Sequence, residues 1–193
     1  MFPFLFVILI AYLAGSVNFS LLMFKAFGKD DPREHSSKNP GVVNVYRQAG
    51  IAWAGMVLLA DILRACGVAC LALWLCSLVY LPWCALFLLI GNRYPLFHGF
   101  RGGKGVANYL GFTVLVVPWA AALAAVVWVV IYSITRQPFL GSFGMIAVLS
   151  IGLSWRSGYH PSAVLGTIVI TVFIIYAHRT NIRNLFSPEK SES

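Results

Sequence analysis

The feature that most limits what this chain can fold into is its division into apolar runs. Seven stretches, at about 3–24, 51–74, 78–97, 104–117, 119–135, 139–155 and 161–178, are built mainly from aliphatic and aromatic residues. A helix needs roughly 20 such residues to cross bilayer hydrocarbon, and fewer where the bilayer thins. In lipid every backbone N–H and C=O must find its partner inside the protein, which selects helices over open strands. The runs therefore predict an all-α polytopic membrane protein with seven transmembrane helices. With 60% of the residues hydrophobic and 10% charged, a soluble domain of 193 residues lacks the polar surface it would need.

The cations set the orientation. With the N-terminus outside and the C-terminus in the cytoplasm, Lys25, Lys29, Arg33, Lys38, Arg47, Arg101, Lys104, Arg136, Arg179, Arg183 and Lys190 all fall inside. That is eleven of the 14 Lys and Arg. Arg93 lies near the inner end of its run, Arg64 lies within the second, and Arg156 falls outside. The net charge of +8 is thus accounted for by topology before any acidic partner, and no nucleic acid is implied. No Lys or Arg precedes the first apolar run, which reads as a retained helix and not a secretory signal. Cys66, Cys70, Cys76 and Cys84 show neither zinc-site spacing nor a disulfide framework, so no metal is expected. There is no internal repeat. Residues 1–186 read as one transmembrane domain, and 187–193 (SPEKSES) as a disordered tail.

Chemistry can reside in three inner-facing clusters. The interval 25–50 is far longer than a plain helix connector and carries Ser36, Ser37, Asn39, Gly41, Asn44 and Arg47. Its residues suit a phosphate or carboxylate site, or an interfacial amphipathic segment. The second cluster, Gly99-Phe100-Arg101-Gly102-Gly103-Lys104-Gly105, precedes a helical run. It is an anion-binding helix start or a glycine-rich turn with topogenic cations. It is not a Walker A loop, because His98 and Gly105 occupy the positions that would need Gly and Ser or Thr. In the third, His178 and Asn181 share a helix face beside Arg179 and Arg183, for hydrogen bonding or for structure. Asp61 and Arg64, three apart within a span, are expected to pair and support the bundle. Ser16, Asn18 and Ser20 are expected to make interhelical hydrogen bonds.

Nucleophile elbows, HExxH, a membrane carboxylate series and the HxxxxD pairing are all missing. What remains binds phosphate and stabilises developing negative charge better than it supplies a covalent nucleophile.

Taken together, these motifs resemble a known family. Ser37-Lys38-Asn39-Pro40-Gly41-Val42-Val43-Asn44-Val45-Tyr46-Arg47, Gly91-Asn92-Arg93-Tyr94-Pro95, Phe100-Arg101-Gly102-Gly103-Lys104-Gly105-Val106-Ala107 and His178-Arg179-Thr180-Asn181-Ile182-Arg183 occur in the same order as in the bacterial acyl-phosphate:glycerol-3-phosphate acyltransferases, the PlsY family. The resemblance extends to GSVNF near the start and to LADILR, and so spans nearly the whole chain. It implies an inner-membrane enzyme with a cytoplasmic site that moves an acyl group from acyl phosphate to the 1-hydroxyl of glycerol 3-phosphate. Lysophosphatidic acid for phospholipid biosynthesis is the product. The resemblance further implies catalytic roles for Ser37, Lys104, His178 and Asn181. Substrate binding would fall to Arg47, Asn39, Gly41, Asn44, Gly102, Gly103, Gly105 and Ser142. Neither a cofactor nor an obligate protein partner is implied beyond the two substrates and membrane lipid.

Four positions depart from the family pattern. Lys38 stands in the usual Ser-Gly-Asn, Val43 in the usual Gly-Ala-Thr-Asn, Asn92 in the usual Gly-His, and Asn108 where Thr is common. They motivate an alternative, a related acyltransferase with another acceptor. A non-catalytic anion binder or transporter is a second alternative, opposed by the sparse outer face, where Arg156 and His160 stand nearly alone.

Overall fold

The structure, a computed structural model, describes residues 2–186, so the expected disordered tail at 187–193 lies outside the described residues. Among the described residues the regular structure is helical and no strand forms. The first apolar run holds α1 (Phe2–Ser16) and α2 (Phe19–Ala26), and the polar interval holds α3 (Val42–Ala49). Then come α4 (Ile51–Leu75), α5 (Leu81–Arg93), α6 (Val106–Val116), α7 (Pro118–Thr135), α8 (Pro138–Arg156), α9 (Pro161–Ala177) and α10 (Arg179–Phe186). Pro118, Pro138 and Pro161 each occupy the first position of a helix, where the missing N–H is not needed and φ is already set.

Four helices are long and apolar enough to cross a membrane, with α1 and α2 taken as one, and the bent α9–α10 pair makes five. The helices α5 and α6 have 13 and 11 residues. At 1.5 Å per residue each reaches only about 20 Å, short of the ~30 Å of hydrocarbon. Both are heavily buried by neighbours, α5 against α1 and α9, and α6 against α4, α7 and α8.

The core has two parts. The larger runs through α1 and α4 to α9 around Tyr109, Phe112, Leu88, Leu89, Ile146 and Leu149. The smaller joins Phe24, Val45, Ala54 and Val57, and fastens α3 to α2 and α4. Close approach of α1 and α5 depends on glycine. A Cβ on Gly15 would overlap the Leu88 carbonyl oxygen, and one on Gly91 the Tyr12 carbonyl oxygen. A polar ladder links α6, α8 and α9 through Tyr109–Ser150, Ser150–Thr171 and Ser154–Thr167, all within 3.1 Å.

The first span is broken, where an unbroken helix was expected. Asn18 caps α2 by accepting the Leu21 N–H at 3.1 Å, and Arg64 donates to the freed Val17 carbonyl. The expected interhelical role of Ser16 is also corrected, since its hydroxyl donates to Tyr12 O within its own helix. Ser20 Oγ is buried without a partner among the described residues. His160 caps α9 by accepting the Ser162 N–H on Nδ1.

Candidate active site

The loop 27–41 is held by the helix that follows it. Asn44, 1% exposed, donates from Nδ2 to the carbonyls of Pro32 (2.8 Å) and His35 (3.4 Å) and accepts the Ser37 N–H on Oδ1 (3.2 Å). Gln48, one turn later, donates to the same two carbonyls. These bonds fold the loop back over α3, while Val45 on the other face enters the smaller core. The interval is thus an amphipathic helix and a site wall together, not one or the other. Ser37, Asn39, Gly41 and Arg47 line the cavity along this wall. Asn44 also reaches the lining, but its amide is spent on bracing the loop.

The glycine loop works differently from the expectation that its backbone donors cradle an anion. Gly102 N–H donates to Arg93 O (3.1 Å) and Gly103 N–H to Asn92 O (3.0 Å), so both amides are already committed. A Cβ on Gly102 would collide with the Asn92 carbonyl oxygen and the Pro95 ring, which explains the glycine as a packing requirement. Gly102 itself stands behind the wall, whereas Gly103, Lys104 and Gly105 line the cavity. The amides that open α6, those of Gly105, Val106 and Ala107, find no acceptor in the chain among the described residues. They carry the positive end of the helix dipole toward the cavity.

Lys104 is the central cation. Its Nζ donates to Asn181 Oδ1. Burial, followed by the nearby charges of Arg93 and Arg47, brings its pKa down to about 8. Among the described residues Lys104 has no carboxylate partner, and its nearby charges are those of Arg93 and Arg47, an arrangement that an anionic ligand stabilises.

The third wall comes from a bend of 53° between α9 and α10. His178 sits at the bend and Asn181 in the first turn beyond it, so both face the Lys104 loop. His178 Nδ1–H donates to Ile174 O (2.9 Å), which leaves Nε2 unprotonated as an acceptor. The ring is 3% exposed. Phe143 packs edge-on against it.

These walls enclose a cavity of about 370 Å³. Beyond its polar mouth the lining turns apolar, with Leu58, Leu110, Ala125, Trp128, Val129 and Met145 contributed by α4, α6, α7 and α8. Ser142 lines it too, with its hydroxyl donated to Pro138 O at 3.0 Å. Every predicted site residue except Gly102 borders this one space. Asp61, Asn92, Asn108, Trp128 and Gln137 also line it and were not among the predicted ligands. Asp61 accepts from Arg64 at 2.8 Å, and the same guanidinium donates to Asn108 Oδ1 at 2.5 Å. Only the i, i+3 spacing of Asp61 and Arg64 signalled this pair in advance. A larger, more open groove of about 1090 Å³ runs between α2 and residues 97–99, and none of the predicted site residues lines it. A polar, cationic mouth joined to an apolar limb fits an amphiphile with a phosphate head.

Comparison with known proteins gives the same answer. The family described as glycerol-3-phosphate acyltransferase matches residues 5–188. A glycerol-3-phosphate acyltransferase of Pseudomonas paraeruginosa is 36% identical over 180 residues, covering 93% of this chain and 94% of the relative. One from Methylobacillus flagellatus is 36% identical over 183 residues, covering 92% and 91%. The crystal structure of PlsY, an integral membrane glycerol 3-phosphate acyltransferase, in its glycerol 3-phosphate form superposes with a TM-score of 0.87. It is 33% identical, covering 96% of this chain and 92% of that one. The lysophosphatidic acid form gives a TM-score of 0.85 with the same identity and coverage. This chain belongs to the glycerol-3-phosphate acyltransferase family.

Proposed function

We infer that this protein is a membrane glycerol-3-phosphate acyltransferase that transfers a fatty acyl group from acyl phosphate to the 1-hydroxyl of glycerol 3-phosphate. Its products are lysophosphatidic acid and inorganic phosphate. The observation that carries this reading is Lys104, flanked by two further cations and facing His178 and Asn181, at the head of a cavity with an apolar limb. The relatives and the two ligand forms of PlsY support it.

In this mechanism Arg47 and Lys104 hold substrate phosphate groups, assisted by the open amides at the start of α6. The acyl chain lies in the apolar limb past Trp128 and Met145. Ser37, Asn39, Gly41, His178 and Asn181 orient the acceptor. Its 1-hydroxyl oxygen attacks the acyl carbonyl carbon, the new C–O ester bond forms, and the bond from that carbon to the phosphate oxygen breaks. The hydroxyl proton leaves with the departing phosphate. Acyl phosphate is an activated donor, so positioning and charge stabilisation suffice and no covalent enzyme intermediate is required. Neutral His178 offers Nε2 as a hydrogen-bond acceptor to the attacking hydroxyl.

The same reading sets the protein in the bacterial inner membrane as one domain with seven helical spans. The N-terminus is outside, the site faces the cytoplasm, and α5 and α6 are short spans sheltered by their neighbours. The positive-inside distribution supports this orientation.

The direct test is phosphate release from acyl phosphate by purified protein in lipid. Release is expected only when glycerol 3-phosphate is present, and Lys104→Ala is expected to abolish it. Release without acceptor, or none from a well-folded sample, refutes the reading. A screen of other acceptors, motivated by Val43 and Asn92 in the cavity wall, tests whether glycerol 3-phosphate is the preferred one.

A further inference from the structure

We propose that Arg33 is a positioning residue that fixes the separation of the two loops forming opposite walls of the phosphate site. Its guanidinium fork is divided between them. Nε and Nη2 grip the Asp31 carboxylate at 2.6–3.0 Å, inside the loop that carries Ser37 and Asn39. Nη1 crosses to the carbonyls of His98 (2.9 Å) and Arg101 (3.1 Å), on the segment that leads to Lys104. Among the described residues no other hydrogen bond joins segment 27–41 to segment 94–105.

The tie is rigid at both ends. On one side Pro32, next to Arg33, is bound by Asn44 and Gln48 of α3, the helix that also carries Arg47. On the other, His98 accepts the Asn18 N–H at 3.3 Å, and the Gly102 and Gly103 amides are bonded to the end of α5. A displacement of Arg33 therefore changes the distance between Arg47 and Lys104 without touching either. Asp31 aims the fork. With Nε and Nη2 engaged by the carboxylate, Nη1 has one direction left, which a lysine ammonium cannot reproduce.

The inference rests on the acyl-transfer reading and predicts how that reaction fails. Each loop alone still binds its phosphate, so both KM values stay within about threefold. Alignment of acceptor and donor is lost, and kcat falls about 10- to 100-fold, the range expected for a misplacement of order 1 Å. The experiment is steady-state phosphate release by Arg33→Ala, Arg33→Lys and Asp31→Asn in lipid, with both substrates varied and wild type alongside. Arg33→Lys is expected to recover less than a tenth of the lost kcat, and Asp31→Asn to lose several-fold. If Arg33→Ala does not survive purification, Asp31→Asn, which keeps the guanidinium, decides. Unchanged kcat, or full rescue by Lys, overturns the proposal. A rise in KM of tenfold or more with kcat preserved overturns it too, since Arg33 would then act in binding. An inactive wild type would instead refute the acyl-transfer reading itself, so the two failures are distinguishable.

Discussion

Arg64 and Lys104 are both cations largely withdrawn from water, and the protein treats them in opposite ways. Arg64 has its charge met inside the protein: Asp61, Asn108 and the Val17 carbonyl accept from its two terminal nitrogens and the Phe19 ring lies nearby, while Nε stays buried without a partner among the described residues. Among the described residues Lys104 has one neutral acceptor, Asn181, and its charged neighbours are Arg93 and Arg47. A buried charge with its complement inside the protein serves the fold, because a ligand adds nothing that is missing. A buried charge set among like charges is an unmet electrostatic demand, which a substrate phosphate fills. Function is therefore read more safely from what a cation lacks than from its burial.

The comparison is broken most readily by exchanging its two ends. Lys104→Ala is expected to lower acceptor-dependent phosphate release by about 10³-fold, the upper range for loss of one preorganised charge donor. The same variant keeps or slightly raises its thermal midpoint, since like-charge crowding with Arg93 and Arg47 is relieved. Arg64→Met should do the reverse. It leaves Asp61 without its partner and costs about 3–5 kcal/mol of stability, read as a drop of roughly 10 °C in Tm. Adding Asp61→Leu to Arg64→Met should recover at least half of that loss, because the orphaned charge is gone. If Lys104→Ala unfolds the protein, or Arg64→Met keeps its Tm, the contrast does not hold.

A pH profile sharpens the Lys104 half. Its charged form is complete well below about 8 and disappears as pH rises through that value. The ratio kcat/KM, which reports the free enzyme, should therefore fall above pH 8, approaching tenfold per unit. Bound phosphate favours the ammonium, so kcat should hold to higher pH than kcat/KM. Lys104→Arg, if active, should lose the alkaline limb altogether. An alkaline limb unchanged in Lys104→Arg would assign it to another group.

Much of this arrangement is legible in the chain itself. Apolar runs located six of the helices to within a few residues. The three polar clusters were visible as residue types, and cation placement put them at the same end. Features set by long-range partners were not legible. The break at Val17–Asn18 depends on Arg64, 47 residues away, and the bend that swings Asn181 onto Lys104 follows the end of α9 without a Pro or Gly to announce it. Asn44 looks like a ligand in sequence, and only the positions of Pro32 and His35 reveal it as a brace. Gly102 looks like an anion-binding glycine, and only the nearby Pro95 ring and Asn92 carbonyl show why a side chain is excluded.

A third cation, Lys38, gives the comparison its mildest test. It replaces the glycine of the family pattern, a few residues from the site, yet its side chain is exposed and it is absent from the cavity lining. Its backbone keeps a φ of 52°, the left-handed region that glycine enters without cost and an L-residue enters at about 1 kcal/mol. The loop thus takes, at a lysine, a backbone shape that suits glycine. Lys38→Gly should leave kcat and both KM values within about twofold of wild type and raise stability by no more than about 1 kcal/mol. Lys38→Val, which crowds the same φ, should lower stability and with it the fraction of active enzyme. A tenfold rise in KM for glycerol 3-phosphate in Lys38→Gly would show instead that the ammonium reaches the acceptor. Lys38 would then belong with Lys104, among the charges left incomplete for substrate.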